Sequence, residues 1–334
     1  MAQVIEHYVS LKNENVDVFK HIKTFAVSQI VLLNYRKRWG LIYAMATLAG
    51  LFCIPGTFLV SVYSSTGFVD TILRIVTLPL GSFFIIVGMY VFNDLVDANL
   101  DKANGKDRPI PKGRVSKLQA WFFIVGTNGL GLALSLATFN IFTLAISLSL
   151  ACIGILYSIP KIALKDRFLV KTLSIAGAMM LCISLGSTSY WNSNVALDIS
   201  ANTLVTNILY SSILLAIMVF ITSPFNDVAD VIGDRAAGRK TIPIMIGAEN
   251  TVKMAMILAG TMSVISWIVY SISNIGLINS VLITFVSVLT VYNMNKTLKN
   301  LENKEYVRRQ HKKSMPLHLL LQLCLVVGAL LFTI

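Results

Sequence analysis

Long apolar runs separated by short polar breaks dominate this chain, and nine of them approach the roughly 20 residues that an α-helix needs to cross a bilayer. They cover residues 39–62, 72–92, 118–138, 141–158, 168–188, 203–225, 251–271, 275–294 and 316–334. The runs are continuous and do not alternate as amphipathic stripes, the pattern of helices surrounded by lipid and by one another. It predicts an all-α, polytopic membrane protein of nine transmembrane helices. No Pro/Gly/Ser-rich linker divides residues 39–334, which therefore read as one membrane domain behind an N-terminal segment, 1–38. Within that segment, residues 16–33 read equally as an interfacial amphipathic helix or as an extension of the first span.

Composition agrees. With 55% hydrophobic and only 13% charged residues, the chain has half the charge of an ordinary soluble domain, about 25%. The cations are arranged as a membrane topology requires. Of 28 Lys and Arg residues, all but Arg74 fall before the first run or near every second connection, which places the N-terminus and those connections in the cytoplasm. Topology and attraction to anionic headgroups account for the net charge of +12, so membrane lipid is an expected partner and nucleic acid is not. Cys53, Cys152, Cys182 and Cys324 lie inside runs, without metal-ligand spacing, and read as small apolar residues. The first 38 residues lack the apolar core of a cleavable signal peptide.

One acidic pattern stands out against this background. Asn93-Asp94-x-x-Asp97-x-x-x-Asp101 recurs 133 residues later as Asn226-Asp227-x-x-Asp230-x-x-x-Asp234. Each copy has a similar tail, Arg108-Pro-Ile-Pro111 with Gly113 and Lys240-Thr-Ile-Pro243 with Gly247, and each follows an even-numbered run at its cytoplasmic end. Turn or capping roles explain one such motif, but not two copies matched in spacing and in tail. A duplication of this kind builds one composite site from two half-sites.

Aspartates at i, i+3 and i+7 stack on one helix face. Their mutual repulsion calls for a cationic partner. Hard oxygen donors without His or Cys suit Mg²⁺, which takes one or two carboxylates, keeps water and shares its other positions with phosphate oxygens. Arg108, Lys161, Lys165, Arg235, Arg239 and Lys240 are near enough in sequence to neutralise a diphosphate, although the topological bias alone also explains them. A metal-bound diphosphate beside an apolar bundle points to an allylic prenyl diphosphate, whose metal-assisted departure leaves a delocalised cation. Aromatic faces at Phe83, Tyr90, Phe92 or Phe225 could stabilise that cation, or simply pack.

These residues resemble the UbiA superfamily of intramembrane prenyltransferases. Besides the two motifs, Asp107-Arg-Pro-Ile-Pro-Lys-Gly-Arg114 is similar to the family's Arg-Pro-Ile-Pro segment, and Tyr157-Ser-Ile-Pro160 to its Tyr-Ser-x-Pro element. The resemblance implies nine helices around a central cavity capped by cytoplasmic loops and open laterally to lipid. It implies metal ligation by Asn93, Asp97, Asp230 and Asp234, with Asp94, Asp101 and Asp227 completing a catalytic set of six aspartates. Arg108, Tyr157, Lys161, Lys165, Lys240 and Arg38 become candidates for the diphosphate, beside Arg235. The chain departs from the family at Asn104-Gly105-Lys106, where many members read Asn-Arg-Pro, and at Ala163, where others are basic.

The expected activity is Mg²⁺-dependent transfer of a long prenyl group, geranylgeranyl or longer, from its diphosphate to a lipophilic acceptor: an aromatic quinone or chlorin precursor, or geranylgeranylglyceryl phosphate. An intramembrane terpene cyclase uses the same ionisation. A transporter is the non-enzymatic alternative, though the spans carry almost no ionisable groups to form a path.

Overall fold

The computed structural model describes residues 2–53, 67–103, 105–190, 201–236, 238–273 and 276–331. Among them there is no strand. Helices α1 (Ala2–Phe52), α2 (Gly67–Val96), α4 (Lys117–Leu136), α5 (Ile141–Ser158), α6 (Val170–Ser187), α7 (Ala201–Val228), α10 (Ala248–Ile272), α11 (Leu277–Leu298) and α12 (Lys304–Leu331) are long. Short helices α3 (Ala98–Ala103), α8 (Val231–Ala236) and α9 (Ile242–Ile246) join them at one end of the bundle. Eight helices, α2, α4 to α7 and α10 to α12, are long and apolar enough to cross a bilayer, and the chain is an integral membrane protein. The first predicted span begins inside α1, and its remainder from 54 to 62 lies outside the described residues. Helix α1 itself is unbroken from Ala2 to Phe52.

Helix α12 extends the last predicted span on its N-terminal side. Helix α12 begins at Lys304, well before residue 316, and Pro316 lies inside it. Lys304, Arg308, Lys312 and Lys313 make its first turns too polar to count as an apolar run.

The helices close into a ring: α1 packs on α2, α6 and α12, α2 on α4 and α5, α6 on α7, α7 on α10 and α12, and α11 on α10 and α12. In lipid, apolar surface alone does not drive helices together, so close backbone approach and hydrogen bonds must do it. At the α1–α6 crossing a Cβ on Gly50 would strike the backbone of Ile183, and one on Gly186 the backbone of Thr47. Hydrogen bonds join Thr47 to Ser82 (2.9 Å), Ser135 to Ser147 (2.7 Å), and Tyr210 Oη to Asn279 Oδ1 (2.9 Å). Gln322 Nε2 donates to the Ile42 carbonyl (2.9 Å), fixing α12 against α1.

Arg74, the lone cation opposite the motifs in the sequence reading, is buried and satisfied. Its Nε pairs with Asp70 (2.7 Å), and it donates to the Ser189 carbonyl, which also accepts from Asn140 (3.3 Å). Cys53, Cys182 and Cys324 are buried free thiols, and Cys152 is an exposed one.

Candidate active site

The sequence repeat is a structural repeat. Each motif begins in the last turn of a long helix, α2 or α7, is interrupted at Asp97 or Asp230, and continues into a six-residue helix, α3 or α8. Each short helix ends in the same cap. Gly105 (φ +63°) and Gly238 (φ +70°) adopt the left-handed conformation that glycine alone reaches without strain. Gly105 N–H donates to the Lys102 carbonyl and Gly238 N–H to that of Arg235, both at 3.1 Å. Lys106 N–H then donates to the Asp101 carbonyl and Arg239 N–H to that of Asp234, both at 2.9 Å. This Schellman cap turns the chain back, so that Lys106 faces Asp101 (3.3 Å) and Arg239 faces Asp234 (3.3 Å). Within the departure at Asn104-Gly105-Lys106, Gly105 and Lys106 thus form a helix cap.

Both motifs open onto one cavity of about 680 Å³ walled by α1, α2, α5, α6, α7 and α12. From the motifs, Asn93, Asp97, Asn226, Asp227, Asp230 and Asp234 line it. Asp94 and Asp101, each 1% exposed, are absent from its lining and stand behind its wall, where they hold cations that do line it. Arg36 grips Asp94 through Nε (2.7 Å) and a terminal amino group. Arg108 Nη1 bridges Asp94 (2.8 Å) and Asp101 (2.6 Å).

The repulsion anticipated along each stripe is offset residue by residue. Lys165 Nζ donates to Asp97 (2.6 Å), Lys171 Nζ to both oxygens of Asp227 (2.6 and 2.7 Å), and Arg308 to Asp230 (3.0 Å). Arg239 ties the halves together, lying 3.3 Å from Asp234, 3.1 Å from Asp166 and 3.9 Å from Asp97. Burial opposes its charge, but the three carboxylates outweigh that cost and hold its pKa above the ordinary arginine value.

Of the remaining candidates, Arg108, Tyr157 and Lys165 line the cavity. Arg38, Lys161, Arg235 and Lys240 are exposed and do not. Phe92 faces Trp121 (5.8 Å between ring centroids), Phe83 faces Phe84 (5.3 Å), and Phe225 is buried against His311 (5.9 Å); among the four candidate aromatics only Tyr90 is on the wall. It stacks on Trp39 (5.2 Å, 13° between planes). Sequence reasoning missed Arg36, Lys171, Lys304, Arg308, His311 and His318, all on the wall.

The cavity is chemically graded. Eight cations, Arg36, Lys106, Arg108, Lys165, Lys171, Arg239, Lys304 and Arg308, share its lining with four carboxylates, an excess that suits an anionic guest. Trp39, Ile42, Tyr43, Tyr90, Ile175, Met179, Val219 and Met315 supply apolar and aromatic wall. A void of about 50 Å³, lined by Ile86, Met89, Leu150, Ile153 and Gly154, adjoins it at Tyr43, Tyr90 and Tyr157. Among the described residues, no three His, Cys, Asp or Glu side chains cluster as a ready-made metal cage. The oxygen donors on the wall fit Mg²⁺, which takes few protein carboxylates and completes its shell with phosphate and water.

A profile of the UbiA prenyltransferase family matches residues 52–313. The chain belongs to that family. It is 31% identical over 182 residues to the digeranylgeranylglyceryl phosphate synthase of Saccharolobus solfataricus, a match covering 54% of this chain and 60% of that enzyme. The chain thus spans less than two thirds of that relative's length. A solved structure of a digeranylgeranylglyceryl phosphate synthase superposes with a TM-score of 0.63 at 22% identity, covering 91% of this chain and 98% of the other. A UbiA homologue from Archaeoglobus fulgidus bound to DMAPP and Mg²⁺ superposes at 0.58 with 17% identity, covering 90% and 99%. Both share the fold described above.

Proposed function

We propose that this UbiA-family protein is a Mg²⁺-dependent prenyltransferase that holds a prenyl diphosphate between its two aspartate motifs and transfers the prenyl group to a lipophilic acceptor. One observation carries this reading: both motifs reach the same cation-rich cavity, and that cavity continues into an apolar, aromatic wall. An anion with a lipid tail satisfies both ends, and the Archaeoglobus fulgidus homologue is bound to DMAPP, a short prenyl diphosphate, and Mg²⁺.

Asn93, Asp97, Asp230 and Asp234 are the residues that would hold Mg²⁺. When bound, the ion neutralises the diphosphate and favours its departure. Arg36, Arg108, Lys165, Lys171 and Arg239 bind the diphosphate oxygens, exchanging carboxylate partners for phosphate ones. Asp94 and Asp101 act through Arg36 and Arg108 and are positioning residues. Trp39, Tyr43, Tyr90 and Tyr157 exclude water and turn aromatic faces towards the allylic cation left when the C1–O bond breaks. The N-terminus and the motif end of the bundle face the cytoplasm, in line with the distribution of Lys and Arg.

The test is release of diphosphate from geranylgeranyl diphosphate by the purified chain in lipid nanodiscs, with Mg²⁺ and with EDTA. Release that requires Mg²⁺ and transfers label to an added lipophilic acceptor is the expected result. Failure to turn over geranyl, farnesyl or geranylgeranyl diphosphate with Mg²⁺ would contradict it.

A further inference from the structure

An ionisable side chain within a membrane helix is costly and calls for a functional partner. Helix α12 carries four on its cavity face, where Lys304, Arg308, His311, Met315 and His318 follow one another at spacings of four and three and all line the cavity. His311 has neighbours to satisfy it: its ring lies against Phe225 and its Nδ1 is 3.5 Å from Ser314 Oγ. His318 is different. It is 4% exposed, and its buried Nε2 has no hydrogen-bond partner among the described residues. A buried polar nitrogen left unpaired is destabilising unless a guest supplies the partner.

The position of His318 indicates what that guest is. One turn further along α12, Gln322 is bonded to the Ile42 carbonyl, which sets His318 beside the stretch of α1 that carries Trp39 and Ile42 to the cavity wall. Towards the mouth the same face carries Arg308, paired with Asp230. His318 thus lies on the apolar side of the diphosphate site, where an acceptor must meet the prenyl chain. Asp97, Asp230 and Asp234 are assigned above to Mg²⁺, Asp227 stands with them in the second motif at the head of the site, and the tyrosine hydroxyls are poor bases near neutrality. The unpartnered Nε2 of His318 offers a proton acceptor on that part of the wall.

We propose that His318 is the base for the acceptor, which presents a nucleophilic hydroxyl to its unpartnered Nε2; this rests on the prenyl-transfer reading above. The C1–O bond of the prenyl diphosphate breaks, and its electron pair leaves on diphosphate. A lone pair on the hydroxyl oxygen forms the new C1–O bond. The hydroxyl proton passes to Nε2 of neutral His318, and the imidazolium later releases it to water at the cavity mouth.

The test uses the full chain in nanodiscs, labelled geranylgeranyl diphosphate, and geranylgeranylglyceryl phosphate as a hydroxyl probe or homogentisate as an aromatic probe. Transfer by His318→Ala falls about 100-fold or more, the range of a positioned base, and added imidazole restores it at least tenfold. His318→Gln, which keeps an amide near the lost nitrogen, stays as inactive as alanine without imidazole. Binding of a non-hydrolysable thiolodiphosphate analogue with Mg²⁺ reports separately on folding and on the head site. If the wild-type chain does not bind the analogue in a Mg²⁺-dependent way, the prenyl-transfer reading falls, and this proposal with it. If it binds the analogue but prenylates neither probe, or only homogentisate on carbon, the hydroxyl assignment is overturned alone. Wild-type transfer rates in His318→Ala or His318→Gln, or loss without imidazole rescue, overturn the role of His318.

Discussion

Arg239 lies 3.9 Å from Asp97, a residue of the opposite half of the repeat, while holding Asp234 of its own half at 3.3 Å. One guanidinium thereby ties the two motifs together at the wall of one cavity.

Removing that bridge affects substrate binding first. Arg239→Ala is expected to raise KM for the prenyl diphosphate about 10- to 100-fold, the value of one charge-assisted hydrogen bond at about 1.5–3 kcal/mol. Arg239→Lys keeps the charge but cannot fork between carboxylates, so its KM falls between the two. Steady-state kinetics of diphosphate release measures both.

The aspartates separate by what their loss disturbs. Asp94→Asn leaves Arg36 and Arg108 facing each other in a buried site and costs about 3 kcal/mol of stability, the lower range for a broken buried pair. Asp230 has a side chain 45% exposed, and its partner Arg308 is 62% exposed. Asp230→Asn therefore changes stability by less than about 1 kcal/mol, since solvent screens the pair. Thermal unfolding of the two variants in nanodiscs distinguishes them.

The two caps give a matched pair of variants. A Cβ on Gly105 or Gly238 meets nothing within 4 Å, so alanine there is opposed only by the left-handed backbone, at about 1–2 kcal/mol. Asparagine, which tolerates that conformation better, costs less. Lowered Tm for Gly238→Ala, with weaker diphosphate binding as Arg239 is displaced, is the expected outcome.

Lys112 is exposed in the loop after the first motif. A Lys112→Cys variant is labelled by a membrane-impermeant maleimide in inverted vesicles and protected in right-side-out ones if the motif end is cytoplasmic. The reverse pattern contradicts the proposed orientation.

Much of this arrangement was legible in the residues. The 133-residue repeat of carboxylate spacing singled out Asp97 and Asp230, and both line the one cavity. What it could not supply was helix rotation. Arg36, Lys37 and Arg38 look alike as a basic cluster, yet only Arg36 shares a face with Trp39 and Tyr43, at spacings of three and four, and that face lines the cavity. Lys171 read as a loop cation but stands in the first turn of α6, bonded to Asp227. The polar face of α12 was hidden for the opposite reason: its charged turns broke the apolar run that marks a span, while their regular spacing belonged to a helix.

The central claim is that Asp97 and Asp230 serve one clamp, and a double-mutant cycle tests it most directly. Mg²⁺-dependent release of diphosphate is measured for Asp97→Asn, Asp230→Asn and the double variant, each shown to be folded by thermal unfolding. The prediction is a loss of at least about 100-fold in each single variant and little further loss in the double, because residues acting as a unit are not additive. Full turnover in either single variant, or strictly multiplicative losses, would contradict the shared clamp.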